Sequence, residues 1–534
     1  MKKSFCVILV IVMILAFVAA CGPAEEVPGA VAPATGAPVQ QPAAENVQAQ
    51  DAEDESGYRH GGTLRIVEAA SAGGPLGLTW VIRPSDTWLI APAMQNLVRE
   101  FHDGSVEPQL AESWSVDEDN DVVRFYLRQG VVFHDGSQFN AEVVVFNLDL
   151  IQENIALIPF EATVIDDYTV DVHFPNGLTN GSVGFFAHVN FRIMSMESYL
   201  QNGEDWALEN PVGTGPFRLV EYIPGLHVIL ERFDDYWEPG KPYLDSIEFH
   251  MIGDVMTQNL ALAADPGQGA VDALRTQTPE QGARFREMGY HVHSVTNRVK
   301  SLFPSSDNPD SPFVNKYVRL ALSAAIDREL IMTARGFGIQ YPMYQFIVSS
   351  RPSHVTDSGY GVPRYDPDLA RELLARGGFP DGFRTTMTCQ PGSADREAFV
   401  AIQNMLENVG IIVDIEFPEG AGFVSTRSNG WEGILTNTVT NFVHIENNFT
   451  QIFGQDANQF FSMQNSDELE ALGQATQFFG DNRAAIREAQ DYMLDNGLVI
   501  PLWASPELTI MRPGVHGWTD LAPFNWADMW VEWD

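Results

Sequence analysis

The chain has 534 residues, of which 45% are hydrophobic and 11% aromatic, so it is long enough for two or three domains and can bury large cores. Its formal net charge of −40 at pH 7 argues against binding to nucleic acid, because neutralising phosphates requires a basic face. The same charge disfavours electrostatic attachment to anionic lipid surfaces.

The first residues have the pattern of a secretory signal. Lys2 and Lys3 precede the apolar stretch Phe5–Phe17, which is too short to span a membrane with ordinary flanks. The stretch continues into Val-Ala-Ala-Cys21, which resembles the lipobox that lipoprotein signal peptidase recognises. The resemblance implies cleavage before Cys21, so residues 1–20 are predicted to be a signal peptide and Cys21 a lipid anchor.

A tether is predicted to follow, with residues 21–57 forming a lipid-anchored, disordered linker. These residues are rich in Ala, Pro, Gly, Gln and acids, and they cannot bury enough apolar surface to offset the entropy of ordering. Cys6 leaves with the signal peptide, and Cys21 is modified. Cys389 then has no partner for an intrachain disulfide.

The folded part is predicted to begin near Tyr58, with a first strand at Gly62–Val67. The stretch Asp86–Phe101 places Ile90 and Met94 on one face at helical spacing, which predicts a helix.

The block Glu107–Leu150 predicts two strands followed by a helix. Val122–Leu127 alternates apolar and polar residues, as a half-buried strand does, and Val131–Phe133 is a second, short strand. Asn140 can cap a helix that runs to Leu150.

A second block, Val212–Asp245, predicts a sharp glycine-rich entry and an antiparallel pair. Its strands are Phe217–Tyr222 and His227–Arg232, joined at the Pro224-Gly225 turn. The other predicted elements are strands at Tyr168–Phe174, Ile247–Ile252, Ile411–Phe417 and Val499–Trp503, helices at Thr257–Ala264, Val318–Arg328, Asp366–Gly382, Ile402–Gly410 and Ala485–Met493, and an extended segment at His291–Phe303.

Both blocks resemble the signatures of family 5 solute-binding proteins of ABC importers, the oligopeptide, dipeptide and nickel class. In that family a proline and "LAESW" precede a strand of the "FxLRxGVxFHDG" kind and a helix; Pro108, Leu110–Trp114, Phe125–Gly136 and Ala141–Phe146 match them here. The second block is similar to the family's "GTGPF…YxPGxxxxLxRxxxYWxxGKPYLD". The resemblance extends from Gly61 to about Trp518.

The resemblance implies an α/β, periplasmic-binding-protein-like fold of type II, with two lobes and a hinge. Two segments, near 292–304 and 499–505, are expected to cross between the lobes. The mapped organisation is 58–88 with 211–300 and 505–534 as lobe one, 89–210 as an extra subdomain inserted in lobe one, and 301–504 as lobe two.

The resemblance also implies a function without catalysis. A small-molecule solute is expected between the lobes, and the expected partners are ABC permease subunits with cytoplasmic ATPases. The location would be extracytoplasmic, at a membrane held through lipidated Cys21. No cofactor and no nucleic acid are expected, and the sequence contains none of the HExxH, CxxC-pair or GxSxG motifs of common catalytic sites.

The class of solute is predicted from a loop of lobe two. Peptide-binding members anchor the peptide's amino group with an aspartate in a "WxxDxxDP"-type loop, and the comparable loop here is Trp431–Phe449. Asn441 stands where that aspartate belongs, and His444-Ile445 replaces the Asp-Pro. A neutral amide cannot offer a charge-assisted pair to a desolvated ammonium, which disfavours ordinary peptides.

Other residues in family cleft segments are candidates for ligand contact. Trp80, Trp431 and Trp503 could stack on sugars or planar ligands, or they could be core tryptophans, and the sequence leaves both open. Lys300, on a crossing segment, is also predicted to contact the ligand.

Three hypotheses follow for the function. The first is a receptor for a peptide-like or other small organic or oligomeric solute. The second is a nickel, metal-chelate or oligosaccharide receptor of the same family, for which His444 is the candidate metal contact. The third, from another class, is a lipid-anchored hydrolase with a site that the sequence does not display.

Overall fold

The computed structural model describes residues 58–533 apart from short segments. Those segments are 69–72, 83–85, 102–103, 156–158, 180, 266–269, 352, 358, 391–394, 442–444, 446–448, 450–452, 454–461, 464–465, 478–480 and 519–524. The predictions for the signal peptide, Cys21, the linker and His444 therefore lie outside the described residues. Within residues 58–533 as described, no helix has the length and apolar character needed to cross a membrane.

The described secondary structure contains both strands and helices. The strands are β1 (Thr63–Glu68), β2 (Val98–Glu100), β3 (Val106–Pro108), β4 (Ala111–Asp117), β5 (Val122–Leu127), β6 (Glu161–Asp166), β7 (Thr169–His173), β8 (Phe217–Ile223), β9 (His227–Arg232), β10 (Ser246–Met251), β11 (Ala273–Thr276), β12 (His291–Val295), β13 (Arg298–Pro304), β14 (Phe383–Thr388), β15 (Ile411–Glu416), β16 (Ile434–Thr440), β17 (Ile500–Ala504), β18 (Glu507–Met511), β19 (Val515–His516) and β20 (Trp530–Val531). The α-helices are α1 (Ala141–Asn154), α2 (Met196–Asn202), α3 (Glu204–Ala207), α4 (Val255–Ala263), α5 (Pro279–Glu287), α6 (Lys316–Ala325), α7 (Arg328–Arg335), α8 (Pro367–Arg376), α9 (Arg396–Glu407), α10 (Gly420–Asn429), α11 (Asp467–Ala475) and α12 (Arg483–Asp495). Short 3₁₀ helices lie at Gly184–Ala187, Val189–Phe191, Pro312–Val314 and Trp526–Asp528.

Two sheets organise the fold. A seven-stranded sheet has the order β12-β18-β11-β1-β10-β9-β8, and a five-stranded sheet has the order β15-β14-β16-β13-β17. We call the parts built around them lobe one and lobe two; each sheet has a hydrophobic core of its own. A four-stranded sheet, β4-β5-β7-β6, covers a third core, and all its strands lie within 89–210, the predicted insert.

The first signature block folds largely as predicted. β5 has the predicted bounds and alternates between buried and more exposed residues, because one face packs on a core. Asn140 caps α1, and its side-chain oxygen accepts from the backbone N–H of Val143 at 3.1 Å. The segment Val131–Phe133 forms only an isolated bridge, from Val132 to Gln138, rather than a full strand.

The helix predicted at Asp86–Phe101 is wrong, since this stretch forms turns followed by β2. Pro92 has no N–H to donate within a helix. The carbonyls of Pro92 and Ala93 instead accept from the N–H groups of Phe217 and Gly215, at 3.2 and 2.9 Å. A Cβ added at Gly215 would lie 2.3 Å from the Pro92 oxygen, so this close approach requires glycine.

The second block contains the predicted antiparallel pair, β8 with β9. The helix predicted at Val318–Arg328 is divided in two. α6 ends at Ala325, and α7 begins after Asp327, whose side chain accepts from the Leu330 N–H at 2.9 Å. Aspartate at this position stabilises a new helix start, and Arg328 is thereby placed in the first turn of α7.

The chain passes twice between the two large sheets. β12 belongs to the seven-stranded sheet and β13 to the five-stranded sheet, so the first crossing is at 296–297. The return from β17 to β18 makes the second crossing at 505–506. These crossings lie in or beside the predicted hinge segments. Residues 298–300, assigned to lobe one by the predicted boundary, lie in a strand of the lobe-two sheet.

Candidate functional site

The candidate site lies where the carboxyl ends of the parallel strands meet the crossings. In lobe one, β1 pairs in parallel with β10 and β11, and β12 runs in the same direction because β11 and β12 are both antiparallel to β18. In lobe two, β14 is parallel to β15 and β16, and β13 enters from the crossing antiparallel to β16. Ligands of open α/β sheets bind outside the carboxyl ends of such strands. The space between these two edges is therefore the candidate site.

An ion pair joins the two crossings. The Arg298 guanidinium, at the start of β13, pairs with the Glu507 carboxylate, at the start of β18. The Ser505 N–H donates to the Arg298 carbonyl at 2.9 Å, which ties the two crossing segments together through their backbones. Arg275 also approaches Glu507, at 3.4 Å. The hinge thus carries charged side chains from both lobes.

The lobe-one edge carries a buried carboxylate. Glu68, the last residue of β1, accepts from the Arg275 guanidinium at 3.1 Å, and its side chain is only 8% exposed. Burial raises the pKa of Glu68; Arg275 opposes this rise, and Asp86 adds to it. The Arg275 guanidinium also lies 4.4 Å from the centre of the Trp88 ring, a cation–π contact.

The lobe-two edge carries two cations around one carboxylate. The Lys300 ammonium, on β13, donates to the Gln390 side-chain oxygen at 3.0 Å and lies 3.5 Å from Asp395. Arg335, at the end of α7, pairs with Asp395 at 2.9 Å. Burial lowers the pKa of Lys300, and the carboxylate of Asp395 opposes that change. We call Lys300, Arg335, Gln390 and Asp395 the lobe-two charge cluster.

The three predicted tryptophans take packing positions. Trp431 is 5% exposed, and its indole N–H donates to the Phe303 carbonyl at 2.9 Å. Trp503 is fully buried, with its ring 6.0 Å from that of Phe399. Trp80 is partly buried and packs against the cores of lobe one and the insert. Their contact with a ligand stays a prediction.

Asn441 is 1% exposed and is held by the backbone of a neighbouring segment. Its side-chain oxygen accepts from the Val348 N–H, and its side-chain N–H₂ donates to the Phe346 carbonyl, both at 2.7 Å. Arg351 donates to the Asn441 carbonyl at 2.8 Å. The side chain therefore fixes the segment 346–351 against the end of β16. The other predicted residue of this loop, His444, lies outside the described residues.

Sequence reasoning missed several residues at the two edges. Glu68 directly follows a predicted buried strand. A charged residue at the carboxyl end of a strand is a pattern from which this site residue could have been predicted. Arg275 and Trp88 meet only through the fold, as do Arg335 and Asp395, which come from separate helices and loops. Neither pair shows a sequence pattern.

A cavity of about 730 Å³ also lies in lobe two, beside the edge strand β17. Its described lining comes entirely from residues between 327 and 365 and includes Tyr341, Tyr344, Tyr360 and Tyr365. Among the described residues, this lining contains none from lobe one. Among the described residues of the chain, no group of three or more His, Cys, Asp and Glu side chains could hold a metal ion.

The two sheets, the paired crossings and the facing edges define a two-lobed α/β protein of the periplasmic-binding-protein type. The family model of bacterial extracellular solute-binding proteins, family 5 (middle region), matches residues 105–460, more than half of the chain. The chain belongs to this family.

Similarity to individual proteins agrees with that assignment. The chain is 30% identical over 323 residues to the glutathione-binding protein GsiB of Salmonella typhi, in an alignment that covers 58% of this chain and 60% of GsiB. It is also 30% identical over 316 residues to GsiB of Pectobacterium atrosepticum, covering 57% of this chain and 60% of that protein. The chain therefore matches less than two thirds of the length of these relatives.

Solved structures resemble the whole fold. The periplasmic binding protein DppA from Helicobacter pylori, in complex with the peptide STSA, has a TM-score of 0.76 at 21% identity, covering 89% of this chain and 99% of its own. NikA from Brucella suis, in complex with Fe(III)-EDTA, has a TM-score of 0.77 at 20% identity, covering 88% of this chain and 100% of its own. At this identity the likeness establishes the fold, and the predicted fold class is confirmed.

Proposed function

We propose that this protein is the solute receptor of an ABC importer. It binds a small-molecule solute between its lobes and presents it to permease subunits that work with cytoplasmic ATPases. The observation that carries the proposal is the pair of crossings, which brings two strand edges with buried charged side chains to one place. Family membership supports it, as do the names of the relatives, which describe binding proteins.

The lobes close on the solute by a hinge motion at the two crossings. A ligand shifts such an equilibrium only through contacts that it makes better in the closed state. An acidic side chain of an insert strand lies close enough to lobe two to act on Arg351. Burial lowers the pKa of Arg351, and the nearby charge of Glu100 on β2 opposes that change.

Addition of a saturating cognate solute is expected to reduce the radius of gyration. The hinge lets the two lobes approach, and the closed form excludes water from the space between them. The solute is first identified by a thermal-shift screen of peptides, oligosaccharides and metal chelates. At 100 times its Kd a ligand adds about 2.7 kcal/mol to the free energy of unfolding. Small-angle X-ray scattering then compares the free and loaded protein.

A solute that gives no thermal shift serves as the control and should leave the radius unchanged. An unchanged radius with a solute that demonstrably binds would contradict hinge closure. The screen also separates the classes of solute, since a metal chelate as the only hit would favour the nickel branch. Chemical turnover of a hit would favour a hydrolase over a receptor.

We propose that the receptor lies outside the cytoplasmic membrane and is held there by lipidated Cys21. The support is the lipobox-like sequence before Cys21 and the acidic, proline-rich segment that follows it. Acyl chains contribute about 0.8 kcal/mol per buried CH₂, so several chains hold a protein at a membrane without a spanning helix.

Cys21→Ser is expected to move the protein from the membrane fraction to the soluble fraction without unfolding it. Serine cannot form the thioether that carries the lipid, and the described part of the chain begins more than thirty residues later. Fractionation followed by immunoblotting measures the change. Cys6→Ser, a substitution within the predicted signal peptide, is the matched control and should leave the protein at the membrane. Full membrane retention of Cys21→Ser would refute the lipid anchor.

A further inference from the structure

A side chain of lobe two packs directly against a helix of lobe one. Ile339 follows the end of α7 and is 7% exposed. A Cβ atom added at Gly282, in α5, would lie 2.7 Å from Cδ1, the terminal methyl carbon of Ile339. It would also lie 2.8 Å from Cδ1 of Leu508 and 3.6 Å from Cγ1 of Val292, two residues of the lobe-one sheet. Ile339 therefore fills a notch that the missing side chain of Gly282 leaves on lobe one.

The glycine is needed for the space at this contact and not for its backbone conformation. Gly282 lies inside α5 (Pro279–Glu287) and is not among the residues with a positive φ. Glycine is one of the least favourable residues inside a helix, because it has the most backbone freedom to lose. Any larger residue would overlap with the side chain from lobe two. A glycine that weakens its own helix and admits a neighbour indicates that the close approach of the lobes matters here.

The notch is fixed within lobe one. Gln281, which precedes the glycine, is 2% exposed. Its side-chain N–H₂ donates to the side-chain oxygens of Gln258 and Asn259, both at 3.0 Å. The Thr276 hydroxyl donates to the side-chain oxygen of Gln281 at 2.7 Å. These hydrogen bonds attach α5 to α4 and β11, so the notch moves together with lobe one.

The side chain that fills the notch is fixed within lobe two. The backbone that follows Ile339 runs along the edge strand β17. The Ala504 N–H donates to the Tyr341 carbonyl at 2.9 Å. The Met343 N–H donates to the Leu502 carbonyl, also at 2.9 Å. Since each side of the contact belongs to its own lobe, a rotation of one lobe against the other must change the contact.

The contact lies beside the two crossings of the chain. Val292 is four residues before the first crossing at 296–297, and Leu508 is two residues beyond the second at 505–506. Packed side chains interdigitate, and they favour a few discrete arrangements over a continuous range. The seated isoleucine therefore favours one angle between the lobes over neighbouring angles.

We propose that Ile339, packed into the notch at Gly282, is a positioning residue that sets the balance between the hinge states of the two lobes, by stabilising the state described here. The inference rests on the proposed receptor function and names a contact that regulates it. A solute that binds one hinge state has an apparent affinity that scales with the population of that state. The contact thus adjusts the affinity for the solute from a place beside the hinge.

The test measures the distance between the lobes without any solute. Spin labels at Val220→Cys, in lobe one, and Glu407→Cys, in lobe two, report this distance by double electron–electron resonance. Both residues are exposed. The full-length chain also carries Cys6→Ser and Cys21→Ser, and Cys389 is fully buried, which shields it from the label.

Gly282→Ala is expected to change the ratio of the two hinge populations about fivefold or more, because the added methyl group overlaps with the seated isoleucine. Ile339→Ala should shift the ratio in the same direction, since it empties the notch. Combining Gly282→Ala with Ile339→Val, which removes the overlapping methyl carbon, should restore the wild-type ratio. Combining it with Leu508→Val relieves only the overlap within lobe one and should not restore the ratio.

Ile402→Val is the matched control. It removes the same methyl group from a fully buried residue of the lobe-two core, so it should lower stability and leave the distances between the lobes unchanged. Circular dichroism shows which variants fold. If Gly282→Ala does not fold, Ile339→Ala, which only removes atoms, decides the matter alone.

Two results would overturn the proposal. One is a distribution of distances in Ile339→Ala that equals that of the wild type. The other is rescue of Gly282→Ala by Leu508→Val and not by Ile339→Val, since the effect would then arise within lobe one. Neither result bears on the receptor function, because the distances are measured without a solute. Scattering with a solute that binds decides that function separately.

Discussion

Replacing Arg328 with methionine is expected to lower the free energy of unfolding by about 3–5 kcal/mol. Arg328 is fully buried, and its Nε donates to the Pro501 carbonyl at 2.7 Å. Its other nitrogens donate to the Ser323 carbonyl at 3.1 Å, the Ile326 carbonyl at 3.3 Å and the Ser323 hydroxyl at 2.9 Å. Methionine would fill much of the volume but would remove all of these side-chain donors from buried acceptors.

The position of Arg328 explains why the effect should be large. The carbonyl of Ser323 belongs to the last turn of α6, where a cation stabilises the negative end of the helix dipole. Pro501 belongs to β17, the strand that leads to the second crossing. One guanidinium thus holds the helix end against a hinge strand. Arg328→Lys should lose less than Arg328→Met, because an ammonium keeps the charge and three donors.

Urea denaturation measures the change, with the m value checked for each variant. Arg384→Met is the control; this exposed arginine pairs with Asp414 at 2.9 Å, and exposed pairs contribute about 0–1 kcal/mol. A loss below about 1 kcal/mol for Arg328→Met would show that its hydrogen bonds contribute far less than buried charged groups usually do.

The sequence predicted elements best where a local signal and the packing agree. The strand β5 alternates between buried and more exposed residues, and the sequence predicted both of its ends. The helix α1 begins directly after the asparagine that caps it. The stretch 86–101 shows the opposite case. Its apolar spacing fits a helix, but Pro92 and the glycines of a distant segment, such as Gly215, decide its backbone hydrogen bonds. Contacts with a segment more than a hundred residues away are not visible in a local pattern.

The site was predicted less completely, for the same reason. A tryptophan in a cleft segment and a tryptophan in the core look alike in sequence, and burial places Trp431 and Trp503 in the lobe-two core. Lys300 was predicted as a contact, but Asp395, which it approaches, lies 95 residues further along the chain. Arg335, which pairs with the same carboxylate, lies 35 residues after Lys300. The three residues come together because α7 and the segment before α9 both approach β13 in the fold.

The second large effect concerns Asn441. Asn441→Asp is expected to lower the free energy of unfolding by about 2–4 kcal/mol at neutral pH. A carboxylate can still accept from the Val348 N–H, but it cannot donate to the Phe346 carbonyl, which lies 2.7 Å from the present N–H₂. It would also place a charge at a position that is 1% exposed. Arg351, which donates to the Asn441 carbonyl, offsets part of this cost.

The loss should depend on pH in a defined direction. Burial and the Phe346 carbonyl raise the pKa of the new carboxyl in the folded state above its unfolded value of about 3.9. The penalty is therefore fully present above the folded pKa and disappears as the pH falls towards the unfolded value, since the protonated acid can donate to Phe346. Urea midpoints between about pH 7 and pH 4 measure this. Asn404→Asp, an exposed change on α9 with the same charge, should show no such trend.

Asn441 also bears on whether the solute needs a free amino group. If it stands in place of a peptide-anchoring carboxylate, a free α-ammonium contributes little, and a tripeptide and its N-acetylated form should bind the wild type with similar Kd. Asn441→Asp should then shift preference towards the free amine, by an amount that desolvation limits because it opposes the Coulomb attraction. Calorimetry at neutral pH compares the two forms in both proteins. If acetylation weakens wild-type binding about tenfold or more, another acid holds the amine. Glu68 is then the first residue to substitute, because it is a buried carboxylate at the facing edge of lobe one.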